Sequence, residues 1–302
     1  TALVARQDEP APGAPSGVEF MGFTSPLDPR IPLVSAGRAA FLGGLRGPGV
    51  DDANALGIWT EDQGGPHLAA RGRGPAPGLA SGHAFRLLDV PFLATSGRIL
   101  FNGLWRKPGD SPSFLSGNQE GFWSDRSGSM QAVILAGNPA PGTAAGVVFR
   151  QETSTAIGGA FRDWDSDDAL RLVVNGNLGG PGIGELNDEG IWVEGPAGLV
   201  LLAREGDLAP GAGVGVHFGS NNGIDTFGDH IPVRRNAAGA VLFGARLSGP
   251  NVPFMRSLWT DRSGSLELVA RGTMPVTGSA AGDPAPGLGP GWTFSLLALV
   301  DL

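Results

Sequence analysis

Short apolar runs of strand length, each closed by a turn rich in glycine or proline, follow one another along the whole chain. Within a run, small or polar residues alternate with large apolar ones, as in RAAFLGGL (38–45), RILFNGL (98–104) and AVLFGARL (240–247). A period of two is the signature of a half-buried strand, so the pattern predicts an all-β chain.

The runs recur in a fixed register. Five copies of one motif end in phenylalanine: ARQDEPAPGAPSGVEF at Phe20, ARGRGPAPGLASGHAF at Phe85, AGNPAPGTAAGVVF at Phe149, AREGDLAPGAGVGVHF at Phe218 and DPAPGLGPGWTF at Phe294. The glycine of Ala-Pro-Gly stands seven residues before the phenylalanine in every copy, at Gly13, Gly78, Gly142, Gly211 and Gly287. The intervals between phenylalanines are 65, 64, 69 and 76 residues, a period that marks a tandem repeat.

Each unit carries four strand-like segments. The first holds the repeated phenylalanine. The second follows a turn glycine four residues before an aromatic, as in Gly37 and Phe41, Gly97 and Phe101, and Gly239 and Phe243; the third copy has Asp168 and Leu172 in those places. The third segment carries Trp59, Trp123, Trp192 or Trp259. The fourth ends in arginine twelve residues after the tryptophan, at Arg71, Arg204 and Arg271, with Gly137 standing in the second copy. Turns of sequence DRSGS, at 125–129 and 261–265, join third to fourth segments.

Four antiparallel strands in a unit of about 65 residues are the make-up of a β-propeller blade, with the repeated aromatics filling the space between neighbouring blades. The expected architecture is a single tandem-repeat domain over 1–302, with units near 14–78, 79–142, 143–211 and 212–287. End strands at 3–6 and 294–302 would share a fifth, incomplete blade, and both termini read as cut from a longer parent. Tandem β-sandwiches are the second architecture and a solenoid the third.

Composition narrows the function classes. The formal net charge is −8 with 17% charged residues, and no basic cluster stands ready to neutralise phosphates, which excludes nucleic acid and disfavours anionic membranes. There is no cysteine, so disulfide and thiolate chemistry are out. Glycine (51) and proline (25) fall at repeated turn positions between apolar runs, which marks them as scaffold and not as low complexity. No apolar run reaches the length of a membrane span.

The run from Asn236 through Gly239 to Phe243, followed by Trp259 and then Val-Ala-Arg271, resembles the choice-of-anchor tandem repeats with an Asn-x-x-Gly-x-x-Ala-Phe motif. The motif asparagine gives way to the Leu33–Val34 region in the first copy and to Leu93 or Ala94 in the second. The resemblance implies an exported bacterial protein at the cell surface or outside the cell. It implies no catalytic residues.

The sharpest local feature is Asp163-Trp164-Asp165-Ser166-Asp167-Asp168. Carboxylates at alternate positions fit the opening of a calcium loop, so Asp163, Asp165, Asp167 and Asp168 are the candidate metal ligands; a solvated acidic turn is the competing reading. The later glycine and glutamate of an EF-hand are not in place. A second candidate is Asn221, Asn222, Asp225, Asp229 and His230, with a plain Asx-turn loop as its alternative. Asp51, Asp52 and Asn54 form a third acidic loop. His67, His83, His217 and His230 lack zinc-enzyme spacing, and no nucleophile elbow or P-loop is present. The repeated arginines read as structural donors to neighbouring turns or as anion ligands. The leading expectation is a non-enzymatic interaction module for an extracellular glycan or protein. The rival is a propeller enzyme acting on glycans through Asp163, Asp165, Asp225 and Asp229.

Overall fold

The computed structural model describes residues 3–23, 33–62, 64–110, 118–151, 159–219, 226–227, 232–249, 252, 255–273 and 283–284. Among them there is no helix, and the strands form four antiparallel sheets. The first sheet holds β1 (Glu19–Gly22), β2 (Leu33–Ser35), β3 (Arg38–Arg46), β4 (Leu56–Asp62) and β5 (Gly65–Arg71). The second holds β6 (Ala84–Leu88), β7 (Phe92–Leu93), β8 (Ile99–Arg106), β9 (Gln119–Ser124) and β10 (Gln131–Leu135). The third holds β11 (Val148–Phe149), β12 (Phe161–Ser166), β13 (Leu172–Gly179), β14 (Glu189–Gly195) and β15 (Gly198–Arg204). The fourth holds β16 (His217–Phe218), β17 (Arg234–Arg235), β18 (Val241–Ser248), β19 (Met255–Thr260) and β20 (Glu267–Thr273).

Each sheet has one strand more than the four segments read from the sequence, because the first strand is broken. Its two halves pair with opposite ends of the same neighbour: β1 lies along Gly44 to Arg46 of β3, and β2 along Arg38 to Ala40. The two halves are separated by segments 23–32, 89–91, 150–160 and 219–233; only 89–91 is described throughout, and in the last Phe227 bridges Ala245 of β18. The shortest contains Pro91, which has no N–H to give a ladder. Leu3 to Arg6 form no strand, and 294–302 lie outside the described residues.

Register corrects two placements. Phe41 faces Trp59, Phe101 faces Trp123 and Phe243 faces Trp259, but in the third sheet it is Val174 that faces Trp192. The residue in the turn-glycine place is therefore Leu170, not Asp168, and the aromatic is replaced by Val174, not by Leu172. Leu170 takes the glycine's left-handed conformation, with φ of 57°, while 1% exposed. In the second sheet Leu135, opposite Gly121, holds the place of Arg71, which is opposite Gly57.

The Ala-Pro-Gly motif is a staple. In the first copy Ala11 N donates to Val18 O and Ala14 N to Ala11 O, closing a tight turn before β1. The bonds recur from Ala76, Ala140 and Ala209. The proline carbonyl then accepts the indole N–H of the sheet's tryptophan: Trp59 to Pro12 at 2.9 Å, Trp123 to Pro77 at 3.0 Å and Trp192 to Pro141 at 3.0 Å. The glycine two residues before each of these tryptophans lies under its ring; a Cβ at Gly57 would meet Trp59 at 2.6 Å. The fourth copy has Ser257 in that place, and Trp259 bonds its hydroxyl at 2.7 Å instead.

The motif glycine itself cannot be replaced freely. Gly142 has φ of 80°, and a Cβ there would meet Leu201 Cβ at 2.8 Å; Gly211 has φ of 75° but 4.0 Å of room to Leu268. Gly142→Ala is expected to destabilise by about 2–4 kcal/mol, from left-handed strain plus overlap. Gly211→Ala is expected to cost about 1–2 kcal/mol, from strain alone. Urea unfolding of the two variants checks the difference.

The turn aspartates have a matching role. Asp125 accepts Ile99 N at 2.7 Å and Asp261 accepts Val241 N at 2.6 Å; Glu61 and Glu194 do the same for Ala39 and Leu172 at 3.1 Å. An acid at the end of the third segment thus caps the start of the second in every sheet.

The chain divides into two compact units: Thr1–Asn138 with Gln151–Gly159 and Asp168–Leu170, and Pro139–Arg150 with Ala160–Asp167 and Arg171–Leu302. In the first, Phe85, Phe101 and Trp123 of the second sheet pack on Ala40, Leu42, Ile58 and Ala70 of the first. In the other, Phe218, Phe243 and Trp259 pack on Val173, Ile191 and Ala203. Within each unit the aromatics fill the space between successive sheets, as the repeat predicts. Phenylalanine meets tryptophan edge-on in every sheet, at 4.8 or 4.9 Å.

Candidate functional site

The edge strands of the second unit are polar or charged where those of the first are apolar. Leu33, Phe92, Asp165 and Arg234 hold one register place, pairing with Ala40, Leu100, Val173 and Leu242. The next place holds Val34, Leu93, Ser166 and Arg235. Acidic β12 therefore lies against basic β17.

Asp163 and Asp165 sit on one face of β12, two residues apart. Asp163 accepts the N–H of Val233 with one oxygen and its neighbour Trp164 N at 3.0 Å with the other. Asp165 accepts Arg235 N at 2.8 Å. The two carboxylates thus cover N–H groups of an edge strand that would otherwise seek another chain. Burial pushes the Asp163 carboxyl up to about 6, against the pull of the Val233 bond and the Arg234 charge.

Asp167 is 3% exposed and lies between two guanidiniums. Arg171 Nε donates to it at 2.7 Å and Arg235 Nε lies 3.0 Å away. Its other oxygen accepts Arg171 N at 3.1 Å, the bond that Asn236 makes to Ala240 N at 3.0 Å. Asp167 is therefore the motif asparagine of the third copy. Gly239 closes the triad from above: a Cβ would come within 3.1 Å of Arg171 Nη2. Asp168, in the first unit, accepts both Thr95 N at 2.6 Å and the Thr95 hydroxyl, and these bonds hold its pKa down. Each of the four candidate calcium ligands thus has protein donors of its own. Among the described residues no group of three or more His, Cys, Asp or Glu side chains is placed to hold a metal.

Beside this strand pair a cavity of about 260 Å³ opens, lined by Asp165, Arg234, Arg235, Asn236, Leu242, Thr260 and Arg262 among others. Arg234 pairs with Leu242, and Leu242 with Thr260, so these three side chains form one cross-strand row on a single sheet face. Leu242 is the apolar floor, with a guanidinium and a hydroxyl on either side. Arg262 stands in the turn just beyond Thr260.

A sequence family described as a family of unknown function, DUF7453, matches residues 1–294. The chain belongs to this family. The DUF7453 match runs through all four sheets, so staple and cavity both lie within it. A search of curated proteins found no match. Among the described residues no helix is long and apolar enough to cross a membrane.

The other sequence candidates are structural where they are described. Asp51 and Asn54 close an Asx turn, with Ala53 N on Asp51 and Asp51 N on Asn54 at 2.9 Å each. His67 bonds Thr60 Oγ1, His83 the Ala80 carbonyl and His217 the Gly206 carbonyl. Arg71 and Arg204 donate to the carbonyls of Asn54 and Asn187, and Arg271 to that of Ala212. Asn221, Asn222, Asp225, Asp229 and His230 lie outside the described residues.

One acidic group was not among the sequence candidates, although Glu205 stands within the repeated motif that ends at Phe218. Glu205 and Glu189 are each 3% exposed, and Glu205 Oε1 accepts the Thr226 hydroxyl at 2.5 Å while Glu189 accepts Thr226 N at 2.8 Å. Burial, reinforced by the charges of Glu189 and Asp188, pushes the Glu205 carboxyl up from 4.5 to about 7. The folded chain thus binds this proton more tightly than the unfolded chain does. The stability it supports is complete below about pH 4.5 and is lost as pH rises toward 7. The loss amounts to about 3 kcal/mol. Glu205→Gln is expected to flatten the decline of unfolding free energy between pH 5 and pH 7, measured by denaturant titration at a series of pH values. A slope identical to that of the unsubstituted chain would refute the assignment.

Proposed function

We propose that this chain is an exported β-propeller of the cell surface that serves as an interaction module and binds without turnover. The observation that carries the reading is the cavity lining, which among the described residues holds three arginines and one aspartate. Glycoside hydrolysis generally needs two carboxyl groups flanking the bond. Asp163 and Asp167 are meanwhile engaged in holding β17 and its neighbouring turn. The propeller reading draws on the four repeated sheets, the aromatic packing between sheets within each unit and the stapled turns. The likeness to choice-of-anchor repeats supports the surface location.

One observation favours a glycan-acting enzyme: Glu205, with its pKa near 7 beside Glu189, has the proton affinity of a general acid. Incubating the purified chain with a panel of soluble polysaccharides separates the two. The module reading expects saturable binding, read as a thermal shift, and no new reducing ends. Binding to the folded state at 100 times the dissociation constant adds about 2.7 kcal/mol. Chain cleavage that Glu205→Gln abolishes would establish the enzyme instead.

A further inference from the structure

We infer that the cavity between β12 and the β17–β18–β19 face holds the carboxylate of a small hydroxylated acid of the uronate class, an assignment that rests on the binding-module reading. The lining is rich in donors. Thr260 Oγ1 already accepts Arg262 N at 3.3 Å, which leaves its proton to give. Asn236 Oδ1 already accepts Ala240 N, which leaves its amide NH₂ to give. Arg234 places one nitrogen on the Val233 carbonyl at 2.9 Å and keeps further N–H groups. Arg235 is spent on Asp167 and on the Leu172 carbonyl. Arg262 is exposed and, among the described residues, has no carboxylate partner. The Arg234 charge is partly met by nearby Asp163, whose carboxyl it pulls down against the larger upward push of burial, so Arg262 supplies the least compensated charge.

A cavity with two available guanidiniums, an amide and a hydroxyl calls for a ligand rich in acceptors. A guanidinium fork matches the two oxygens of a carboxylate. Asp165 is the one carboxylate in the described lining. Leu242 offers an apolar surface for a ring face. The volume of about 260 Å³ falls just below the roughly 300–1,000 Å³ of drug-sized sites and suits a single sugar ring. The acidic chain as a whole repels anions, so recognition must be local and specific.

The test is calorimetric titration of the full chain with galacturonate, galactose and inorganic phosphate. Galacturonate and galactose differ only in a carboxylate against a hydroxymethyl group. The expected result is saturable galacturonate binding at least tenfold tighter than galactose binding and weakened by salt. Arg262→Gln and Arg234→Gln should each weaken it at least tenfold with the melting temperature unchanged. Backbone amide shifts at Asn236, Leu242 and Thr260 in the unsubstituted chain locate the site independently of the variants. Equal affinity for galactose, or folded variants that bind like the original, would overturn the acid assignment and leave the module reading standing. Phosphate binding tighter than galacturonate would reassign the cavity to phosphate. Arginine-dependent binding accompanied by cleavage of galacturonide chains would uphold the acid assignment and overturn the module.

Discussion

Asp167→Ala is expected to lower unfolding free energy by about 3–5 kcal/mol, the cost of breaking a buried ion pair from one side. The side chain of Arg235 is only 3% exposed, and burial already pulls its pKa down against the support of Asp167. Without the carboxylate that cation has no counter-charge in the triad, and Arg171 loses both its side-chain and backbone bonds to residue 167. Asp167→Asn should fall roughly midway, because an amide oxygen can still cap Arg171 N as Asn236 caps Ala240. Arg171→Ala should cost about 1 kcal/mol or less, since its side chain is 36% exposed and that pair is well screened. Chemical denaturation of the three variants gives the order. If Asp167→Ala lies within about 1 kcal/mol of the unsubstituted chain, the triad does not hold the β12–β17 pair together.

Trp192→Ala should cost a further large amount, about 3–5 kcal/mol. The ring is 0% exposed, packs edge-on to Phe149 at 4.8 Å and ties its indole N–H to Pro141. Trp192→Phe isolates the staple: it retains most of the packing but leaves the Pro141 carbonyl without its donor, at about 1–2 kcal/mol. Its readout is local as well as global. Hydrogen exchange at Ala140 and Thr143, whose amides close the turn, should quicken in Trp192→Phe. The equivalent change at Trp259 should leave the Ala209 turn unaffected, because that indole bonds Ser257. Equal quickening at both turns would show that the staple carries no specific load.

Much of the fold was legible because the repeat fixes steric needs that few residues can meet. The glycine of Ala-Pro-Gly recurs because its place needs a left-handed backbone, the glycine beneath three of the tryptophans because a Cβ would strike the ring, and the acids at the end of the third segment because each caps the start of the second. The break in the first strand was not legible, since both halves carry ordinary strand residues and only pairing with a common neighbour shows them to be one edge. The misplacement at Asp168 and Leu172 has a physical cause: Leu170 accepts a left-handed conformation that the glycine rule would not assign to it. The acidic run stood out as a departure from the pattern, yet Asp167 is the pattern itself, an aspartate in the role of the motif asparagine. The cavity arginines were hidden for the opposite reason. Arg234 and Arg235 look like strand residues, and only comparison with Phe92 and Leu93 in the same register shows an apolar edge turned into a charged one. Glu205 and Glu189 carried one faint signal, the Glu-Gly-x-Trp sequence that Glu189 shares with Glu120, and nothing in that spacing announces a raised pKa.

The interrupted first strand also sets where this chain can change its length. Because the two halves of that strand are held separately by one partner, the segment between them can vary in length while both halves keep their pairing, provided its own bonds to that partner, such as Asp89 N to the Asn102 carbonyl and the Phe227–Ala245 bridge, are kept. The four copies already span from 89–91 to 219–233 at this point. Foreign peptides grafted after Val90 should leave the second sheet's pairing intact as long as Asp89 keeps its bond to the Asn102 carbonyl and Val90 its place in the core, which makes this position a natural port for new specificity on an otherwise fixed frame.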